Sequence, residues 1–416
     1  MFHRFLTLLI ICISLMSGLA PKAQGATPQL SLNRQALFKE LMAQEQAEGS
    51  NVNHLSFLDR GLASSPYKDE VEAIAERLAR PHERTDVTAT LEAHRDEDPM
   101  PPRGEMPRVI AEGPFSGFSP TLHSACVAVM RYKAAGPQLR WYGRRPLVNC
   151  QFWSSTKILQ AFNLVSLLNS KHPQISIAST SLSPVGGSSP RIPFFSLMQN
   201  IVSYDKGVGY SNGGSETLGR FLLRQEREAM VEAHTGHDHS FRGAYGGGSL
   251  IARPRLVLGS GQTLLTAPSS IGSTGPNLMS PYDLTRMIAM AAWHMHLSSE
   301  QWVKGAQWHS LSTVLQAMGH DSARYLDVAV NKLGLVGKID EVVMATKLGF
   351  GISSASRKAQ LTYVGTFQFR DRRLSPPITR RMCFALRGEH TNAVALDAQM
   401  AVEVTDLVRL LANGAL

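Results

Sequence analysis

A chain of 416 residues, 43% hydrophobic and 18% charged, has the makeup of one large or two ordinary folded domains and excludes a disordered protein. Its 42 Lys+Arg against 33 Asp+Glu give a formal charge of +9, and losing Arg4 and Lys22 with a leader leaves +7. That excess is spread along the chain rather than gathered in blocks, so it argues against a nucleic-acid partner and suits peripheral association with an anionic cell wall or membrane surface. Four cysteines are too few for a disulfide scaffold, and no solenoid or propeller repeat is present.

The chain opens with Arg4, an apolar run from Phe5 to Leu19, and small residues at Ala23 and Gly25. This order predicts a secretory signal peptide over residues 1–25 and an exported, periplasmic or extracellular protein. The competing reading is an uncleaved anchor, but the run is short against the roughly 20 residues of a spanning helix. Cys12 lies in the apolar core of the leader. Of Cys126, Cys150 and Cys383, the first two are the candidate bridge, with buried free thiols as the equal alternative.

Residues 26–112 read as an accessory helical and linker region. Apolar residues fall at helical spacing in Arg34–Gln46 (Leu37, Leu41) and in Glu70–Arg80 (Val71, Ile74, Leu78). Asp96-Glu-Asp-Pro-Met-Pro-Pro-Arg103 reads as a linker, and its acidic residues as a solvated face.

Over residues 113–416 the pattern changes. Ala125–Tyr132 and Gln138–Tyr142 predict a hairpin across Ala135-Gly-Pro137. Ser155–Leu168 predicts a helix, with Ile158, Leu159, Phe162, Val165 and Leu168 on one broad face. Residues 170–330 read as mostly helical with Gly/Ser-rich loops, and Ser280-Pro-Tyr-Asp283 marks a helix start. Alternation of Leu361, Tyr363, Phe367 and Phe369 with Thr362, Val364, Thr366 and Gln368 predicts a strand with one buried face. Arg381–Arg387 is a further strand and Leu396–Ala412 a closing helix. The fold class is therefore α/β: one antiparallel sheet built from both β parts, flanked by helices, with an inserted all-helical subdomain over about 170–330.

Chemistry concentrates at Phe152-Trp-Ser-Ser-Thr-Lys157. Ser154 and Lys157 are three apart and share one side of a first helical turn. A serine hydroxyl needs a base to become a nucleophile, and a lysine serves once burial and neighbouring cations lower its pKa. Taken alone, the pair also fits a helix-capping serine and a solvated lysine.

The setting adds to the pair. A Ser-x-x-Lys opening a helix after an N-terminal hairpin, then Tyr210-Ser211-Asn212, then Lys347-Leu348-Gly349 ahead of the late strands, resembles the penicillin-recognising serine hydrolases. These comprise serine β-lactamases, D,D-peptidases and related esterases. The resemblance covers roughly residues 120–416 and implies a β-lactamase/transpeptidase-like sandwich. It implies acyl-enzyme chemistry on a peptidoglycan peptide or a small amide or ester. Ser154 is then the nucleophile and Lys157 its base, with Ser211 or Tyr210 relaying the proton. Asn212 would position substrate, Lys347 would hold its anionic group, and Gly349 would complete the strand motif. No metal or cofactor is required. The second segment fits two branches of the family, through Tyr210 or through Ser211; in the latter Gly213 stands where the family has Asn. A capping serine in a Gly-rich loop is the alternative. Leu348 replaces the family's hydroxyl residue, and no E-x-x-L-N segment follows. A catalytically silent cell-wall-binding relative thus stands as an alternative.

The other rival is a zinc hydrolase using His234, His237 and His239 of Glu232-Ala-His-Thr-Gly-His-Asp-His239. A solvated polar loop explains the same residues. Gly246-Gly-Gly248 and Gly259-Ser-Gly261 lack a phosphate-loop ending and read as mobile loops near the cleft. Trp141, Trp153, Trp293 and Trp302 read as packing residues.

Overall fold

The computed structural model describes residues 29–83, 97–187, 190–238, 241–243, 248–272 and 274–416. The leader with Cys12, together with Asp96, His239 and Gly246–Gly247, lies outside the described residues. No helix among the described residues is long and apolar enough to cross a membrane.

The chain begins with helix α1 (Arg34–Ala47) and the short helix α2 (Ile74–Ala79). The hairpin follows as β1 (Leu122–Lys133) and β2 (Gly136–Arg144), then β3 (Cys150–Gln151), a 3-10 turn (Trp153–Thr156) and α3 (Lys157–Lys171). Next come β4 (Thr180–Pro184), β5 (Ile192–Pro193), α4 (Phe194–Ser203), α5 (Val208–Gly219), α6 (Arg224–Thr235) and β6 (Phe241–Arg242). After them lie β7 (Pro254–Leu258), β8 (Thr263–Thr266), β9 (Leu278–Met279), α7 (Pro281–Ala292), α8 (Trp308–Met318) and α9 (Tyr325–Lys332). The end is β10 (Ile339–Ile352), β11 (Ala359–Asp371), β12 (Ile378–His390) and α10 (Ala393–Ala412).

The early hairpin and the late strands form one five-stranded antiparallel sheet in the order β10-β11-β12-β1-β2. Side chains alternate between its two faces. Cys126, Ala128, Val343, Ala345, Val364, Cys383 and Ala385 join the core shared with α3, α7 and α8. Val127, Val129, Met344, Phe367, Met382 and Phe384 join the core shared with α1, α9 and α10. The fold is α/β, with an antiparallel sheet between helical layers and a largely helical insertion.

Three expectations change in detail. Strand β11 is buried on both faces, because α10 packs on one side and α7 on the other. Its polar residues stay satisfied: Thr366 Oγ1 donates to Met382 O at 3.2 Å, and Arg381 Nε donates to Gln368 Oε1 at 3.1 Å. The insertion also carries the small sheet β5-β4-β7-β8, whose strands are too short to leave a clear period in the sequence. Gly259–Gly261 is the tight turn of its β7–β8 hairpin, where Leu258 N–H donates to Gln262 O.

Cys126 and Cys150 are not bridged, and Cys383 is free as well. Cys126 faces the interior from β1. Cys150 stands on the separate strand β3, with its Sγ 3.6 Å from Ser124 Oγ. The residues ahead of the hairpin belong to the same cores: Leu37, Leu41 and Phe57 on the α10 side, and Val71, Ile74 and Leu78 on the other. Glu97, expected on a solvated face, has an enclosed side chain paired with Lys133 and Arg131.

Candidate active site

Ser154 sits in the 3-10 turn that opens α3 and is 7% exposed. The turn is pinned to β10 and β11 by buried hydroxyls. Ser155 Oγ lies 3.1 Å from Lys347 O and 2.7 Å from Thr362 Oγ1. Thr362 Oγ1 in turn lies 3.0 Å from Phe152 O and 3.2 Å from Gly349 O. On the other flank, Thr156 Oγ1 donates to Asn277 Oδ1 at 2.6 Å, and Asn277 Nδ2 donates to Gln151 Oε1 and Trp153 O. Trp153 has φ +48, and its indole donates to Gln360 Oε1 at 3.1 Å.

Gly349 is required by this closeness. A Cβ there would lie 2.7 Å from Phe152 O and 2.9 Å from Ser154 N. The absent side chain lets the Ser154 amide rest against β10, which suits a backbone donor beside a developing oxyanion.

Lys157, one turn on, is fully buried. Its Nζ donates to Ser211 Oγ at 2.9 Å and to Asn212 Oδ1 at 2.6 Å. Burial first, and then the nearby Lys347 ammonium, lower its pKa from 10.5 to about 6. Ser211 Oγ donates onward to Ile201 O at 2.8 Å. Ser211 and Asn212 thus both reach the lysine, while Lys206 Nζ lies 4.9 Å from the centre of the Tyr210 ring.

The second segment is not a loop. Val208–Gly219 is helix α5, although glycine is a poor helix former. Close packing explains its glycines: a Cβ on Gly213 would lie 2.9 Å from Gly248 O, and one on Gly214 2.8 Å from Leu197 Cδ1. Ser211 and Asn212 are consecutive on α5, and the Lys157 amine from α3 lies between their two side chains and bonds both.

Lys347 on β10 is also buried, and burial lowers its pKa to about 8, opposed by Asp321. Its Nζ donates to Tyr204 Oη at 2.7 Å and to Leu348 O at 2.9 Å. Asp321 is buried, which raises its carboxyl pKa, and it accepts from Thr346 Oγ1 at 2.9 Å. Tyr204 lies against both lysine side chains, its ring centre 4.2 Å from Lys347 Nζ and 5.1 Å from Lys157 Nζ.

The three segments therefore meet: the first with the second through Lys157, and the first with the third through Ser155, Gly349 and the Tyr204 ring that lies against both Lys157 and Lys347. The architecture is the one expected from the sequence, an antiparallel sheet flanked by helices with a largely helical insertion. Tyr204, Ser155, Thr362, Asn277 and Asp321 were not singled out from the sequence. They are ordinary residue types whose places depend on contacts far along the chain.

No family model matches the chain, and no curated protein matches it. Solved structures similar to it include the C-terminal domain of the Bacillus licheniformis BlaR penicillin-receptor, at 12% identity, 73% of this chain, 98% of that one and a TM-score of 0.38. A class D β-lactamase from Fusobacterium nucleatum subsp. polymorphum matches at 11% identity, 71% of this chain, 94% of that one and a TM-score of 0.37. The chromosome-encoded β-lactamase of Vibrio parahaemolyticus matches at 8%, 71%, 95% and 0.38. TM-scores this low add nothing to the convergence of residues.

The zinc alternative meets an obstacle at His234. Its Nδ1 lies 2.5 Å from Met230 O, and its Nε2 accepts from Lys304 N–H at 2.8 Å, so neither nitrogen has a lone pair for a metal. His237 Nδ1 bonds Asp283 Oδ2 at 2.9 Å. Among the described residues no three His, Cys, Asp or Glu side chains gather as a metal site. Trp141 and Trp293 are buried in the core, and Trp302 stacks on His294.

Proposed function

We propose that the chain is an exported serine hydrolase acting on amide or ester bonds, in a cell-wall peptide or β-lactam-like substrate, through an acyl-enzyme. The observation that carries this is Lys157: a buried amine three residues after Ser154, held by Ser211 and Asn212, and largely neutral at pH 7. Ser154 Oγ attacks the carbonyl carbon and a C–O bond forms. The serine proton goes to Lys157 Nζ. The Ser154 amide beside Gly349 faces the developing oxyanion. As the C–N or ester C–O bond breaks, the proton passes from Lys157 through Ser211 to the leaving group, and water later releases the acyl group. Export rests on the residue pattern of 1–25, and the positive charge suits an anionic envelope surface.

A fluorescent penicillin or an activated serine-directed phosphonate tests the reading. Covalent labelling of the wild-type protein that disappears in Ser154→Ala supports it. Equal labelling of that variant overturns it. No labelling by either reagent favours the silent binding relative.

A further inference from the structure

We propose that Asn277 is a positioning residue for the oxyanion site: by holding Trp153 O it fixes the peptide unit whose other end is the Ser154 N–H. This rests on the serine-hydrolase reading above and deepens it with a residue outside all three sequence segments.

The backbone brings Asn277 to the nucleophile. Asn277 directly precedes β9, and β9 pairs antiparallel with β3, the strand that leads into the nucleophile's turn, with Gln151 opposite Leu278. A residue of the insertion thus comes to lie beside Trp153, 124 residues earlier in the chain. Asn277 is 4% exposed and stands at φ +56. Asparagine is among the few residues with a side chain that enter the left-handed region readily.

Every polar atom of that side chain is engaged. Its Nδ2 donates to Gln151 Oε1 at 3.0 Å and to Trp153 O at 3.1 Å, and its Oδ1 accepts from Thr156 Oγ1 at 2.6 Å. Trp153 O can only accept, which fixes the amide nitrogen on that side. Thr156 Oγ1 also lies 3.0 Å from Trp153 O. The threonine has one proton, however, and the shorter contact with Asn277 Oδ1 requires it. Asn277 is therefore the donor to Trp153 O.

Trp153 C=O and Ser154 N–H belong to one planar trans unit, so the two bonds point in opposite directions. A carbonyl held from the insertion turns the N–H toward β10, where a Cβ on Gly349 would lie 2.9 Å from Ser154 N. When Ser154 Oγ adds to the carbonyl carbon of a substrate, the carbonyl oxygen takes the negative charge. A donor already fixed toward that oxygen gives the most stabilisation. Trp153 itself stands at φ +48, a conformation that persists in a bulky residue only when its surroundings hold it. The Asn277 bond is one such hold.

The test measures acylation of the full chain by an aryl ester and by the matching thionoester, in which sulfur replaces the carbonyl oxygen and accepts a hydrogen bond poorly. Asn277→Gly keeps the left-handed backbone and removes the side chain. Asn277→Asp keeps the size and sets an oxygen against Trp153 O. In both variants the ester rate is expected to fall about 10- to 100-fold and the thionoester rate to change little, so the preference for the ester shrinks by the same factor. A merely structural role would lower both rates alike. Equal losses for the two donors, or no loss for either, overturn the proposal. Ser154→Ala is run beside them. If that variant is still acylated, the serine-hydrolase reading fails; if it is not, an unchanged ester preference in the Asn277 variants removes Asn277 alone.

Discussion

Lys157 Nζ and Ser211 Oγ, 54 residues apart in sequence, meet at 2.9 Å inside the molecule. The contact joins the opening turn of α3 to the glycine-rich helix α5. It also places a buried base beside a hydroxyl that already donates to Ile201 O, so that the Ser211 oxygen is left to accept from the lysine.

A pH profile follows from the two lysines. Lys157 serves as base only when neutral, so the acylation rate rises as pH passes about 6. Lys347 attracts an anionic substrate only when protonated, so the rate for such a substrate falls as pH passes about 8. A neutral ester should show the first limb without the second. Stopped-flow acylation from pH 4.5 to 9.5 measures both limbs, and a rising limb near 10 instead of 6 would contradict the role of Lys157.

The same burial makes stability depend on pH. The folded pKa of Lys157 lies near 6, below its ordinary 10.5. Between those values the unfolded chain holds a proton that the folded chain lacks, so stability rises with pH across that window, and the cost is fully present below about 6. Lys157→Met removes this term. It should raise the unfolding midpoint most at pH 6 and progressively less toward pH 10, while abolishing acylation. Calorimetry of both proteins across that range provides the comparison.

Gly349 is where the strand motif and the nucleophile touch. Gly349→Ala adds a Cβ 2.4 Å from Thr362 Oγ1 and 2.7 Å from Phe152 O. Overpacking of this kind costs about 1–3 kcal/mol. The larger effect should fall on acylation, about 100-fold or more, because the Ser154 amide must move from its place beside β10. A variant that melts lower yet acylates normally would separate the glycine from the site.

Thr362 tests the pinning of the turn. Thr362→Val keeps the shape and removes the hydroxyl near Phe152 O, Gly349 O and Ser155 Oγ. Leaving such buried groups unpaired costs about 1–3 kcal/mol. Thr362→Ser should restore most of both stability and labelling. Failure of the serine variant to recover would assign the effect to packing of the methyl group instead.

What the sequence made legible was the periodic and the local. The hairpin, α3, α10 and the serine-lysine spacing were all readable because each is set by residues within a turn or two of one another. The capping serine of α7 was readable for the same reason: Ser280 Oγ accepts from Asp283 N–H. Helix α5 was not, since Gly209, Gly213, Gly214 and Gly219 imitate a loop and only packing explains three of them: Gly213 against Gly248 and Leu250, Gly214 against Leu197, and Gly219 against Arg227 and Gln160. Tyr204, Thr362 and Asn277 carry no local signal, because each acts across more than a hundred residues of sequence. The Cys126–Cys150 pairing failed for a related reason: spacing says nothing of which way two side chains point.

The histidine segment gives the last test. His234 is buried, which pushes its pKa down to about 4, so it is neutral at pH 7. With Nδ1 against Met230 O and Nε2 accepting from Lys304 N–H, it ties the end of α6 to the chain ahead of α8. Its role is therefore to hold the insertion together. His234→Ala should lower the unfolding midpoint through two lost buried bonds, about 1 kcal/mol each, and leave acylation per folded molecule unchanged. Incubation with a strong chelator should likewise leave labelling of Ser154 as it was. Between pH 6.5 and about 4 the unfolded chain holds a proton on this imidazole that the folded chain lacks, because a proton on Nε2 would face the Lys304 N–H, so stability falls as pH drops through that window and the loss is complete below about 4. Loss of labelling on chelation, restored by added zinc, would return the histidines to the chemistry and remove the serine from it.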